Sequence, residues 1–257
     1  MKKGLIAIAA VLLILAVVAA AGCTSTTATD QPAAGDKPVL VMATNAEFQP
    51  YEYYDNGKIV GIDAEMMEAV ANELGMTLKI EDMKFDTIIT AVSTGKADVG
   101  AAAMTVTEDR LKNIDFSDTY ATSKQVIVVN KTGDKKIESD ADFAGARIGV
   151  QLGTTGDIYV SDYEDSAKEI MRLNNAADLF QALEAKKIDC IVIDEQPALK
   201  YSAKADSLTI LEKEFTNEDY AIAIKKGNTE LKDKINAALT KLKENGTLDA
   251  IVAKYIN

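Results

Sequence analysis

A chain of 257 residues, 47% of them hydrophobic, is long enough to bury one large core or two modest ones. Its net charge of −12 and pI near 4.6 argue against binding nucleic acid or an anionic membrane through a basic surface. Histidine is absent, which excludes Ser-His and Cys-His catalysis and histidine-based metal sites, and two cysteines, Cys23 and Cys190, are too few for a disulfide framework.

The N-terminus reads as an export segment. Lys2 and Lys3 precede an unbroken apolar run from Leu5 to Ala21, closed by Gly22 and Cys23. A basic start, a short apolar core and small residues before a cleavage point make residues 1–22 a secretory signal. The ending Ala-Ala-Gly-Cys resembles a lipobox, in which Cys23 is lipidated and becomes the mature N-terminus, although Ala20 stands where bacterial lipoboxes usually carry Leu. The alternative is a retained membrane anchor, for which about 17 apolar residues is the lower limit. Both readings put the rest of the protein outside the cytoplasm, held to a membrane. Residues 23–36, rich in Thr and Ala, form a flexible tether.

Residues 39–43 are a continuous apolar run suited to a strand buried on both faces. The run ends in Thr44-Asn45-Ala46-Glu47-Phe48, a loop at the carboxyl end of a strand, where open α/β sheets bind ligands. Ile62, Met66, Met67, Val70 and Leu74 recur at helical spacing, with Gly75 as the stop. Residues 76–80 then read as strand, 85–92 as a helix closed by Gly95, and 99–103 as a buried strand. This is one β-α-β-α-β unit.

The pattern returns further on. Strands are predicted over 124–130 and 147–150, a helix over 154–163, a strand over 170–173, a helix over 176–185 and a strand over 189–193. A weak internal echo lies at an offset of about 91, where Ile88, Ile89, Val92, Lys96 and Asp98 fall on Leu179, Phe180, Leu183, Lys187 and Asp189. Helix periodicity alone could produce several of these matches. The remainder gives a strand over 220–224 and two helices, over 229–246 and 247–257.

Between the halves, the strand over 99–103 runs into hydroxyls at Thr105 and Thr107 and then a short helix carrying Arg110. A guanidinium beside free backbone N–H groups can hold a small carboxylate. The chain has only three arginines, Arg110, Arg147 and Arg172, so this placement is not a composition effect. The plain alternative is an arginine on a solvated helix face. Asp194 ends an apolar strand, where an acid has no packing reason to sit; it either meets a ligand cation or caps the helix that follows. Gly153-Thr154-Thr155 starts a helix whose first amides are unsatisfied, with Thr154 and Thr155 also able to serve as plain N-caps.

The stretch MTVTEDRLKNIDFSDTY (104–120) resembles the polar amino-acid-binding proteins of ABC importers, the solute-binding family that includes the glutamine and lysine/arginine/ornithine receptors. ATNAEFQPYEY (43–53), GKIVGIDAEMMEAVANELG (57–75), FDTIITAVSTGKADVG (85–100), GVQLGTT (149–155), IDEQPA (193–198) and LKENGTLDAIVAKY (242–255) follow in the family's order, so that essentially all of 37–257 is covered. The resemblance implies a two-lobe α/β fold of the periplasmic-binding-protein type, each lobe a sheet flanked by helices. Lobe 1 is expected from 37–120 and 218–257, and lobe 2 from 121–217. Two short parallel connections near 119–124 and 214–219 would form the hinge.

It also implies a division of labour around the cleft. Arg110 and the amides of Thr105 and Thr155 would take the ligand's carboxylate. Asp194, the Ala103 carbonyl and the Thr105 hydroxyl would take its ammonium. Phe48 and Phe85 would be walls, with Gln151 and Thr154 as further contacts and Met104 a core residue with an edge on the cleft; for the two phenylalanines ordinary core packing is the alternative. Asn45 stands where many relatives carry an Asp that reads the ligand's side chain, which favours a neutral polar ligand. Glu47, if it faces inward, would favour a cationic one. The ligand is expected to be glutamine, another neutral polar residue, or arginine or lysine.

The expected function is that of a monomeric extracytoplasmic receptor, anchored at the outer face of the cell membrane, that closes on its amino acid and delivers it to an ABC permease. No catalytic role, cofactor, metal or nucleic acid is expected. The acidic stretch 161–169 lacks calcium-loop spacing, and no phosphate loop or dinucleotide fingerprint is present. Cys190 reads as a small buried apolar residue. The alternatives are a cyclic-acid dehydratase on the same fold and a sensory module that presents its ligand to a receptor.

Overall fold

A computed structural model of the chain describes residues 37–211 and 216–256. The export signal, the tether and Cys23 lie outside the described residues. In chain order the elements begin with β1 (Val39–Thr44), a meander of β2 (Glu47–Phe48), β3 (Glu52–Asp55) and β4 (Lys58–Val60), then α1 (Ile62–Glu73), β5 (Thr77–Asp82) and α2 (Phe85–Thr94). β6 (Val99–Gly100), α3 (Glu108–Leu111) and β7 (Ile114–Phe116) complete the first half. The second half holds β8 (Ala121–Asn130), β9 (Arg147–Gln151), α4 (Thr155–Ser161), β10 (Glu169–Leu173), α5 (Ala176–Glu184), β11 (Cys190–Asp194), α6 (Glu195–Ser202) and β12 (Leu208–Ile210). The chain ends in β13 (Asn217–Tyr220), β14 (Ala223–Lys225), α7 (Thr229–Glu244) and α8 (Thr247–Tyr255).

Two mixed sheets result, in the two-lobe periplasmic-binding-protein arrangement. One has the order β5-β1-β6-β14-β7 and the other β10-β9-β11-β8-β12. In the first, β1 lies between two parallel partners, β5 and β6, and in the second β9 lies between β10 and β11; an antiparallel strand follows β6 and β11. Burial follows from the apolar patterning: Ile62, Met66, Met67 and Val70 of α1 are all within 1% of full burial, as are Ile88 and Val92 of α2 and Leu179 and Leu183 of α5. The weak echo has a structural counterpart. The Asp98 carboxylate accepts the Val41 amide of β1 at 2.8 Å, and that of Asp189 accepts the Arg147 amide of β9 at 2.8 Å.

Several expectations are corrected. The strand over 99–103 stops at Gly100, because Ala103 takes a left-handed conformation (φ 45°). The single strand over 220–224 is two, split at Ala221 and Ile222, with β13 paired to β8 and β14 to the first sheet. Where the chain passes between the halves, β8 and β13 run antiparallel, not parallel, with Glu218 opposite Ser123 and Tyr220 opposite Ala121. The meander β2–β4, with its short strands, carried too little alternation to be read beforehand.

Gly61 joins the meander to α1 at φ 125°, and a Cβ there would lie 2.2 Å from the Tyr51 carbonyl oxygen. The amides of Ile62 and Asp63 bond back to Pro50 and Tyr51 at 3.1 and 2.9 Å, so the approach is tied at both ends. Gly61→Ala should lower unfolding free energy by roughly 2–4 kcal/mol, combining backbone strain with overpacking. Urea unfolding checks this, and a loss under about 0.5 kcal/mol, the range of ordinary surface changes, would overturn it.

Candidate functional site

Between the lobes lies a cavity with about 290 Å³ of empty space. Its lining comes mainly from segments that follow the carboxyl ends of β1, β6, β9 and β11, and ten of its twelve lining residues are candidates named above. The two that were missed are Glu52 and Ala102.

Arg110 is not on a solvated face. It is 5% exposed, on a short helix whose first turn is fixed by the Thr107 hydroxyl accepting the Arg110 amide. Its Nη1 donates to the Thr105 carbonyl at 2.7 Å and its Nη2 to the Gly153 carbonyl at 3.1 Å, one partner from each lobe. The guanidinium sits 5.4 Å from the Phe85 ring centre, so this wall also backs the cation. Burial lowers the Arg110 pKa to about 10, against the opposing pull of Glu218 and Asp194, and the group stays charged at neutral pH.

Donors face the same space. Thr105 pairs with Tyr220 as an isolated antiparallel bridge whose bonds are made by the flanking residues, Val106 to Asp219 and Ala221 to Met104. That is the non-hydrogen-bonded kind of pair, which leaves the Thr105 amide outside the ladder. The Thr154 hydroxyl caps α4 by accepting the Asp157 amide, the plain N-cap role, and Thr155 is the first residue of that helix. Behind this turn Asp157 accepts the Gly153 amide at 2.9 Å and is itself held by Arg172 at 2.7 Å.

On the acidic side, Asp194 occupies the N-cap position of α6 but makes no capping bond. Its carboxylate instead accepts the Tyr220 hydroxyl, and burial raises its pKa to about 7 against that bond. Asp63 accepts the Ala103 amide at 2.7 Å and the Tyr120 hydroxyl at 2.8 Å. These bonds hold Ala103 in its unfavourable backbone conformation, while burial raises the Asp63 pKa to about 6. Glu52 is fully buried, no amide, hydroxyl or cation bonds either of its oxygens, and burial, then the charge of Asp63 and a proton shared with that carboxyl, push its pKa well up. Glu218 is 1% exposed and accepts the hydroxyls of Thr105 and Thr155 on one oxygen.

Two candidates fall outside the cavity. Met104 is fully buried in a core cluster with Ala43, Ile88 and Phe116, because the turn that aims Ala103 and Thr105 at the cleft sends residue 104 the other way. Glu47 is half-buried on β2, where burial and the charges of Asp82 and Asp178 raise its pKa. Asn45 and Gln151 do line the cavity but are engaged with each other at 2.8 Å across the cleft, and Asn45 also donates to the Met83 carbonyl at 3.0 Å. Glu218 and Tyr220 had a legible signal, since polar groups two apart in a strand share one face. Glu52 had only its place between Tyr51 and Tyr53.

Residues 40–257 match the family of bacterial extracellular solute-binding proteins, family 3. The arginine-binding extracellular protein ArtP of Bacillus subtilis (strain 168) is 34% identical over 230 residues, covering 85% of this chain and 86% of its own. An ancestral arginine-binding protein solved with arginine superposes with a TM-score of 0.82 at 39% identity, over 86% of this chain and 99% of that one. An ancestral arginine-binding protein solved with glutamine gives 0.81 at 39% identity, over 86% and 98%. Fold and cleft thus define a two-lobe binder of a small solute rather than an enzyme. The chain belongs to the bacterial extracellular solute-binding proteins, family 3.

Asp194 carries a linked pH effect. Its pKa rises on folding from 3.8 to about 7, so the native state binds the proton more tightly than the unfolded chain. Its contribution to stability is therefore most favourable below pH 4 and is lost as pH climbs to about 7. Asp194→Asn keeps an acceptor for Tyr220 and removes that cost. Without amino acid it should be more stable than the parent at pH 8, by up to about 4 kcal/mol, and near parity at pH 4. A variant less stable than the parent at pH 8 in urea titrations would contradict this account.

Proposed function

We propose that the amino acid taken by this cleft is L-arginine. The protein is an amino-acid-binding protein of an ABC transporter, and the observation that carries the finer assignment is Glu52: a fully buried carboxyl in the cavity wall that has only another acid, Asp63, to share a proton with and no cation or neutral donor bonded to either oxygen. A buried carboxylate left so is costly unless protonated or met by a cation. Arginine brings two cations and one anion. Its carboxylate would take the remaining N–H groups of Arg110 with the amides of Thr105 and Thr155. Its ammonium would meet Asp194, the Thr105 hydroxyl and the Ala103 carbonyl, and its guanidinium would meet Glu52 beside the Phe48 ring. Asn45, which favoured a neutral ligand from sequence alone, is already committed to Gln151 and Met83 and leaves that argument without force. The arginine-binding relatives support the same choice.

The binding cycle follows from the placement of charge. The cation comes from the first half and Asp194 with the 153–155 turn from the second, so a zwitterion engages both only when the lobes meet, and ligand favours the closed form by that difference. We take the boundaries of the lobes at 120/121 and 217/218, with β8 and β13 as the hinge and a membrane permease as the reader of closure. A lipid on Cys23 would hold the receptor at the outer face of the membrane.

Calorimetry against arginine, lysine, glutamine and histidine tests the ligand. Arginine should bind most tightly, and Glu52→Gln should weaken it by about 2–5 kcal/mol, at least ~30-fold in Kd, while glutamine is weakened far less. Tighter binding of glutamine by the parent, or full arginine affinity in the variant, would sink the assignment. Arg110→Ala should abolish binding of every amino acid with the melting transition retained, and a measurable parent-like Kd in that variant would remove Arg110 from the carboxylate role.

A further inference from the structure

Glu218 and Tyr220 project from the same face of β13, the strand by which the chain returns from the second half to the first. Each of the hydroxyls around them has one proton to give. Tyr220 gives its proton to Asp194. Thr105 and Thr155 give theirs to a single oxygen of Glu218, which can accept two such bonds only as the unprotonated oxygen. Thr155 is then committed on both sides, since its oxygen also accepts from Gln125 Nε2 at 3.2 Å. Thr105 is not: its oxygen lines the cavity with lone pairs and no proton left to offer.

We propose that Glu218 is a positioning residue that turns the Thr105 hydroxyl into an obligatory acceptor, and so makes the cleft demand a ligand with an ammonium group at that point. A carboxylate is the one side-chain group that enforces this, having no proton of its own. An amide at 218 has an N–H₂ that donates to Thr105, freeing the threonine proton to swing into the cavity and oppose an ammonium. The role differs from that of Asp194, which meets the cation directly, and from that of a plain hinge residue, which would affect all ligands alike. It rests on the amino-acid reading above but not on arginine in particular.

The test compares L-arginine with 5-guanidinopentanoate, the same molecule without its α-amino group, by calorimetry at pH 8. The parent should strongly prefer arginine. Glu218→Gln should weaken arginine roughly 10- to 100-fold and leave the deamino compound within about threefold, collapsing the preference. Thr105→Val, which removes the acceptor outright, should collapse it similarly, and the double variant should go no further than Thr105→Val alone. Equal weakening of both ligands in Glu218→Gln, or effects that simply add in the double variant, would overturn the proposal and leave Glu218 a structural part of the hinge. Should Glu218→Gln fail to give a cooperative melt, Thr105→Val decides: an unchanged preference for arginine overturns the proposal. If the parent binds glutamine and not arginine, the arginine assignment fails on its own, and the same ratios are read with glutamine and 4-carbamoylbutanoate.

Discussion

Among the residues that line the cavity, Arg110 is the only cation, and it faces two lining carboxylates, Glu52 and Asp194, with Asp63 and Glu218 buried directly behind. Two like charges a few ångströms apart at an effective dielectric near 20 repel by about 3–4 kcal/mol, so such a group is not stable fully ionised. All four carboxyls are pushed upward chiefly by desolvation, and for Glu52 and Asp194 the charges of neighbouring acids add to it. The site is built short of positive charge, and protons or a ligand's cations make up the difference. The rest of the architecture serves to hold that imbalance in place. Asp63 is fixed by an amide and a phenol, Asp194 by a phenol and Glu218 by two hydroxyls, leaving Glu52 with only the Asp63 carboxyl to share a proton with.

The connection between the halves is part of the binding site as well as its pivot. Glu218 reaches Thr105 from the first half and Thr155 from the second, and Arg110 likewise bonds the Gly153 carbonyl across the cleft. Gln151 reaches Asn45, and the Tyr201 hydroxyl reaches the Glu47 carbonyl. Neutral hydrogen bonds of this kind contribute only about 0.5–1.5 kcal/mol each, so a modest rotation about β8 and β13 exchanges them for water at little net cost. The charged contacts do not behave so mildly. A buried carboxylate or guanidinium that loses its partner forfeits several kilocalories. Movement is therefore cheap where the lobes touch through amides and carbonyls and sensitive to ligand where they touch through charge.

Much of this was legible in the chain before any coordinates. Arg110, Asp194 and the 153–155 turn were marked because each interrupts an apolar strand or opens a helix, and those are local signals with a chemical reading. What stayed hidden depends on pairings between distant segments. Glu52 sits in a meander of two- to four-residue strands, too short for alternation to show, and its burial comes from the fold-back at Gly61. Glu218 shares a face with Tyr220, but the strand was read only from residue 220, and its partner, β8, is about ninety residues earlier. Met104 keeps the core part of its expected role and loses the edge on the cleft, since Ala103 and Thr105 on either side of it line the cavity and leave it on the opposite side.

The two halves share more topology than sequence, and the site explains why. Both sheets use the same arrangement around β1 and β9, and both pin that strand with an aspartate, Asp98 or Asp189, just before β6 or β11. Those residues set register, so they recur with the scaffold. The cleft cannot follow the same rule. Two identical faces closing on one another would set cation against cation and acid against acid, whereas a zwitterion needs opposite charges on its two sides. The strand ends are therefore where the repeats must differ: the segment after β6 carries Arg110, whereas β11, the counterpart of β6 in the second sheet, ends in Asp194. The echo fades at the residues proposed to bind because a dipolar ligand is incompatible with symmetry there.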